Sequence, residues 1–399
     1  MKRILFVIDT LGSGGGQKSL INFLHELDPS ASGLQVDLLM FARRGLFLGQ
    51  LPNYVNVLPT PREISCMFEP FGSKEFLSGL CPKGLFGKLK RLAFKTGIQR
   101  KNPALNDIQL FWQVWKPVLP NLQGFYDIAV GGLEGTCSYY VMDKVGAQRK
   151  VLWFHNNYAN HGYNAGFDHA YFERADAIAT VSEECLESLK RTFPDLSGKF
   201  HILENITSRK TVESRSLEPA DDARTEGVLN LLTVGRLFPV KGYDLLVGAA
   251  KILVERDIKF IWRCLGEGEL ADEIQRWIND TGLGECVLLM GARENPYPYM
   301  RQCDFFVQTS RYEGKSIVLD EAKMLCKPII VTDYATAVDA IKDGETGLIC
   351  EMSSEGIADA IQRLYMDHSL MMKLEDNLAR SEGDCGSSVA DYLEVYLGR

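Results

Sequence analysis

Short apolar runs alternate with helical patterns along almost the whole of this 399-residue chain, and that alternation limits the fold more than any single motif. The strand-like runs fall at 2–9, 34–41, 55–58, 126–131, 149–155, 177–182 and 200–204, then at 229–235, 259–266, 286–291, 304–309, 328–332 and 347–350. Many are apolar without strict alternation, as expected when helices cover both faces of a parallel sheet. Helical patterns such as Gln17–Leu27, Tyr243–Glu255 and Leu270–Thr281 lie between them. Strand and helix in turn predict doubly wound α/β domains. Residues 206–228 are polar and nearly free of large apolar groups, which reads as a linker or excursion before a fresh strand at Leu229. The expected layout is an α/β chain of two Rossmann-like domains, 1–205 and 229–380, joined by 206–228 and facing each other across a cleft. The segment 381–399 carries a last amphipathic piece, Val389–Leu397, placed to pack back on the first domain.

Length favours two or three domains. A composition of 46% apolar and 24% charged residues is that of a soluble globular protein. The net charge of −8 argues against nucleic acid as a partner. One stretch departs from that balance: between Lys74 and Lys101 eight basic residues stand against the single acid Glu75. Its core, 85–98, sorts Leu85, Phe86, Leu89, Leu92 and Ala93 onto one helical face and Lys88, Lys90, Arg91 and Lys95 onto the other. Such a helix can lie on an anionic membrane surface, or it can be a domain helix with a solvated basic face. The ten cysteines show no Cys-x-x-Cys pair and no metal-ligand spacing, so no metal is expected and a reducing, cytoplasmic compartment is. The apolar N-terminus is too short for a signal peptide and runs straight into a glycine turn, so a buried strand is expected there. No run reaches transmembrane length.

The chemistry concentrates in loops that follow strands. After the run Cys303–Ser310 comes Glu313-Gly-Lys-Ser-Ile-Val-Leu-Asp-Glu321, with one carboxylate in the strand-to-helix loop and the second inside the helix. Carboxylates hold hydroxyls, and the free N–H groups of a helix start attract an anion. A ligand that is both hydroxyl-rich and anionic fits, and a sugar nucleotide is one. The strand from Leu229 ends in Gly235-Arg236, and Lys241-Gly242 leads into the next helix. There arginine can grip a diphosphate with its fork and lysine can add a point charge, although two solvated surface cations would read the same way. Gly266-Glu267-Gly268-Glu269 follows another strand, as a ligand loop or as a plain helix entry. His155 closes the run Val151–Phe154, where a histidine can hydrogen-bond a sugar hydroxyl or serve only the core. Gly12-Ser-Gly14-Gly15-Gly16 follows the first strand and lets backbone approach a phosphate or an acceptor, or merely turns. It is no dinucleotide fingerprint, because Gln17 stands where a small residue is required.

Taken in order, these residues resemble the retaining glycosyltransferases of family 4, which have the GT-B fold. The set comprises the Gly12–Gly16 turn, His155, Gly235-Arg236 with Lys241-Gly242, Gly266-Glu267-Gly268 and Glu313-x7-Glu321, with Lys327–Asp333 and Asp343–Leu348 as the family's usual ending. Two positions depart: the first turn reads Gly14-Gly-Gly-Gln17-Lys18, and Lys315 stands where a small or apolar residue is common. The resemblance implies a hexosyl transfer, with retained anomeric configuration and no essential metal or cofactor, from a nucleotide-diphosphate sugar, UDP-sugar favoured. The acceptor would be a glycan or lipid-linked glycan, as in bacterial capsule or exopolysaccharide synthesis. It assigns the diphosphate to Arg236 and Lys241, the nucleotide ribose to Glu321, and the donor sugar to Glu313, Gly314, Lys315, Ser316 and Ile317. Gly266 and Glu267 belong to the same donor site, and Gly291, Ala292 and Arg293 face the base. His155 approaches the sugar from the first domain, and Gly14, Gly15 and Gly16 form the acceptor or phosphate loop. The rival readings are a sugar-nucleotide epimerase on the same architecture and a non-catalytic subunit that binds sugar nucleotides.

Overall fold

A computed structural model describes residues 1–68, 104–380 and 386–398. The basic segment 74–101, with the helix expected over 85–98, lies outside the described residues. The chain forms two compact units, Met1–Glu204 with Ser387–Arg399, and Asn205–Gly386.

The first unit is built on β1 (Lys2–Ile8), β2 (Leu34–Met40), β3 (Asn56–Val57), β4 (Phe125–Gly131), β5 (Gly146–Phe154), β6 (Ala177–Thr180) and β7 (Phe200–Ile202). They form one parallel sheet in the order β3-β2-β1-β4-β5-β6-β7. In β1 the side chains alternate between two apolar layers, which is why the run is apolar throughout. Leu5 and Val7 join a core with Leu39, Ala129, Leu152 and Tyr140. Phe6 turns the other way, 5.7 Å from Phe23 of the helix Gly15–Glu26 and 5.9 Å from Tyr396.

Tyr396 belongs to the helix Val389–Leu397, which is part of this first unit. A capping box of Ser388 and Asp391 starts the helix. Tyr392 is fully buried between Phe23, at 5.0 Å, and Trp153, at 5.3 Å. Near its other end the Arg149 guanidinium donates to the Val395 carbonyl at 3.1 Å, a favourable place for a cation.

The second unit repeats the plan. Its strands are β8 (Leu229–Val234), β9 (Phe260–Leu265), β10 (Val287–Gly291), β11 (Phe305–Gln308), β12 (Ile329–Thr332) and β13 (Leu348–Cys350). The order is β10-β9-β8-β11-β12-β13, again all parallel. Counted from its own first strand this is 3-2-1-4-5-6, the doubly wound dinucleotide-fold order. Phe305 and Val307 face one core, with Trp262 and Leu246, while Phe306 faces the other, with Leu319 and Met324.

The stretch 206–228 is more than the linker expected from its polarity. It carries the helix Arg209–Arg215, whose Val212 enters the second unit's core, as does Ala223. Its polar groups serve a buried cation. Arg263 in β9 is 2% exposed and donates to the Asp222 carbonyl at 2.5 Å, Asn230 Oδ1 at 2.9 Å and Thr225 Oγ1 at 2.7 Å. A guanidinium inside a sheet requires such partners, and a polar stretch supplies them.

Candidate functional site

In the second sheet the strand order reverses between β8 and β11, so the loops leaving their carboxyl ends diverge around a crevice. Both loops carry residues singled out from the sequence. Lys241 ends the loop after β8 and Glu313 lies in the loop after β11; Lys241 Nζ donates to Glu313 Oε1 at 2.5 Å. Ser310 Oγ donates to the same oxygen, also at 2.5 Å. The pair is largely sheltered, with side-chain exposures of 19% for Lys241 and 14% for Glu313.

Backbone contacts lock the two loops together. Gly242 has φ +65°, and a Cβ there would overlap the Thr309 carbonyl oxygen. Thr309 Oγ1 donates to the Lys241 carbonyl at 2.8 Å, and the Arg311 N–H donates to the Val240 carbonyl at 2.7 Å. Arg311 also grips Asp244 with both guanidinium nitrogens, at 2.9 and 2.7 Å.

Arg236 is exposed and sits over the Phe238 ring, 4.9 Å from its centroid. A Cβ at its neighbour Gly235 would lie 3.7 Å from the Lys241 stem. Gly266 and Gly268 let the loop after β9 press on this one: a Cβ at Gly266 would overlap the Gly235 carbonyl oxygen, and one at Gly268 would meet that of Leu237. The Leu237 N–H donates to the Glu267 carbonyl at 2.9 Å, while the Glu267 side chain is exposed. The Gly266 N–H in turn donates to the Gly291 carbonyl at 3.0 Å, which joins the loop after β10 to the group. Gly291 has φ +71°, next to Ala292, and Arg293 Nε donates to Tyr299 Oη at 3.2 Å.

The helix Ile317–Met324 starts behind Glu313. Its N-cap residue Ser316 makes no side-chain cap; Ser316 Oγ instead accepts from Gln308 Nε2 at 2.7 Å. The helix start therefore keeps its partial positive charge uncompensated by a capping oxygen. Glu321, on the same helix, is 2% exposed, and its Oε1 accepts from Tyr297 Oη at 2.7 Å. Burial, and then the Glu321 charge, push the Tyr297 phenol well above its ordinary pKa, so it remains a donor. The structure thus gathers Arg236, Lys241, Gly266, Gly291 and Glu313 on one edge and sets the Glu321 carboxylate against a tyrosine.

His155 and Gly14–Gly16 belong to the first unit, where Gly16 meets His155. Gly16 abuts the His155 ring, and a Cβ there would crowd Cδ2 at 3.0 Å. His155 is 8% exposed; its Nε2 lies 3.1 Å from the Gly132 carbonyl, and burial lowers its pKa. Pattern reading passed over two carboxylates of this unit. Glu134 accepts from the His155 N–H at 3.2 Å and from the Asn156 side chain. Asp9, at the end of β1, accepts from Gln17 Nε2 at 3.3 Å, and burial raises its pKa. Their signal was position: both follow strands flanking the first sheet's own switch point, between β1 and β4.

No group of three or more His, Cys, Asp or Glu side chains arranged to hold a metal ion occurs among the described residues. Nor is any helix among them long and apolar enough to cross a membrane.

Comparison with known proteins adds an independent line. The family model for glycosyl transferases group 1 matches residues 215–380. A Campylobacter jejuni relative is 31% identical over 252 residues, covering 62% of this chain and 67% of the relative. It is N-acetylgalactosamine-N,N'-diacetylbacillosaminyl-diphospho-undecaprenol 4-alpha-N-acetylgalactosaminyltransferase. The poly(ribitol-phosphate) alpha-N-acetylglucosaminyltransferase of Staphylococcus aureus is 31% identical over 134 residues, only 33% of this chain and 27% of that one. Among solved structures, Anabaena HepE in complex with UDP superimposes with a TM-score of 0.63 at 16% identity, covering 95% of this chain and 93% of that one. At that identity the likeness bears on fold alone, and the fold is GT-B.

Proposed function

This chain belongs to the group 1 glycosyl transferases, and from that membership we propose that it moves a hexosyl unit, with retention of configuration, from a nucleotide-diphosphate sugar to a glycan or lipid-linked glycan acceptor. The observation that carries the reading is the Lys241–Glu313 pair, held where the loops after β8 and β11 diverge and beside an uncapped helix start. A diphosphate set against Lys241, Arg236 and those helix N–H groups is neutralised as it departs, and its negative charge grows as the sugar–oxygen bond breaks. Cations on the chain supply that charge, so transfer needs no metal and proceeds undiminished in EDTA. Glu313 and the backbone from Gly314 to Ile317 face the donor sugar, and Glu321 takes the ribose hydroxyls.

Retention follows if the acceptor hydroxyl attacks the face from which the diphosphate leaves. Its proton passes to the departing phosphate oxygen, the new glycosidic bond forms, and nucleoside diphosphate is released. We assign His155 to the sugar and the Gly14–Gly16 turn to the acceptor, as the family resemblance implies. Bacterial surface polysaccharide is the setting we favour, supported by relatives whose names specify an undecaprenol-linked sugar and poly(ribitol phosphate). Cytoplasmic placement is supported by the free thiols of Cys137, Cys185, Cys264, Cys286, Cys303, Cys326 and Cys350.

A thermal-shift screen across UDP-, GDP- and ADP-sugars tests the reading. A ligand at about 100 times its dissociation constant adds about 2.7 kcal/mol, a readily visible rise in Tm. UDP-sugars are expected to give the largest shift. Silence from all three classes would overturn the assignment.

A further inference from the structure

Ser310 was not among the residues marked by the sequence, yet its hydroxyl has a defined task. It is 1% exposed and donates to Glu313 Oε1 at 2.5 Å, the oxygen that also receives Lys241 Nζ. We propose that Ser310 is a positioning residue, which holds the Glu313 carboxylate in place when the diphosphate of the donor draws Lys241 away; the proposal rests on the glycosyl-transfer reading above.

The argument begins with charge. In the free protein one ammonium neutralises Glu313. A diphosphate carries more negative charge than a carboxylate and competes for the same cation, and the attraction scales with that charge. Once Lys241 turns to it, Glu313 stands beside an anion that repels it. Without another tether the side chain would swing outward and lose the geometry that a reaction demands.

Ser310 is such a tether, and it does not depend on Lys241. It is neutral, so the incoming charge pulls it far less than it pulls an ammonium. Its backbone is fixed from the neighbouring strand, because Thr332 Oγ1 donates to the Ser310 carbonyl at 2.5 Å. The far end of the same short turn is fixed too: Thr336 Oγ1 donates to the Glu313 carbonyl at 3.1 Å. Both ends of the span from 310 to 313 are therefore anchored to β12 and the segment that follows it, with no part of the anchorage passing through the lysine.

Steady-state kinetics separates this role from a merely structural one. Ser310→Ala should lower kcat about 10- to 100-fold, the range for one hydrogen bond to a charged group, while the donor KM stays within about twofold. Ser310→Cys, close in volume but a weak donor, should lose nearly as much, and it carries the test if the alanine variant melts early. Lys241→Ala should behave differently, with donor affinity itself falling. Introducing Ser310→Ala into Glu313→Ala should cost no further rate in long incubations, because the serine acts only through that carboxylate. Wild-type kcat in a folded Ser310→Ala protein, or an equal loss in the Glu313→Ala background, would overturn the proposal. Failure of the underlying reading shows separately: a wild-type chain that neither binds nor turns over any nucleotide sugar removes the donor site, and the role of Ser310 with it.

Discussion

His155 illustrates how much one buried polar atom constrains a residue. Its Nε2 faces the Gly132 carbonyl, so that nitrogen carries the proton, and Nδ1 lies buried with no hydrogen-bond partner among the described residues. Burial lowers the pKa, with Glu134 opposing. The sign of the linkage follows. The unfolded chain binds the proton more readily than the folded one, so this contribution is present in full above the ordinary histidine value of about 6.5 and is lost as pH falls below it. Melting curves recorded from about pH 7.5 down to about pH 5.5 should therefore decline more steeply for wild type than for His155→Asn. Equal slopes would mean the imidazole titrates as it would in water. The residue-scale lesson also covers Glu134, whose place after Gly131-Gly132-Leu133 looks like an ordinary helix entry. Only the fold brings its two oxygens to the His155 N–H and to Asn156.

Among the elements, strands were the easiest to read. Each of the thirteen described strands falls on an apolar run marked in the sequence, because a strand covered on both faces has no polar period to hide it. The helix Arg209–Arg215 was not legible for the opposite reason: only Val212 of its seven residues is buried. Distances across loops were equally invisible. Gly266 was read as a ligand-facing glycine, but its lack of a Cβ is first of all what lets the loop after β9 rest on the Gly235 carbonyl. Gly266→Ala should thus push two donor-side loops apart, costing about 1–3 kcal/mol by urea denaturation and weakening nucleotide-sugar binding together. Unchanged stability would show that the loops part freely and that the glycine answers only to a ligand.

For the molecule as a whole, the telling feature is that the last helix returns to the first unit. Tyr392 and Tyr396 are fully buried there, against Phe6, Phe23 and Trp153. A chain shortened to end at Gly386 should lose much of the first unit's stability, since removing a buried aromatic costs about 3–5 kcal/mol. Calorimetry on that chain should show an early-melting transition, with the Asn205–Gly386 unit retaining its own. A single transition at the wild-type temperature would mean that the helix contributes nothing.

The same return path sets the order in which a ribosome can close the two units. Residues 1–204 leave the exit tunnel first but wait for 387–398 to close their aromatic layer. At roughly 5–20 residues per second, the intervening unit takes about 10–40 s to synthesise. Throughout that interval Phe6, Phe23 and Trp153 lack their final cover, so the unit begun before the other is closed after it, and chaperones have their opening there.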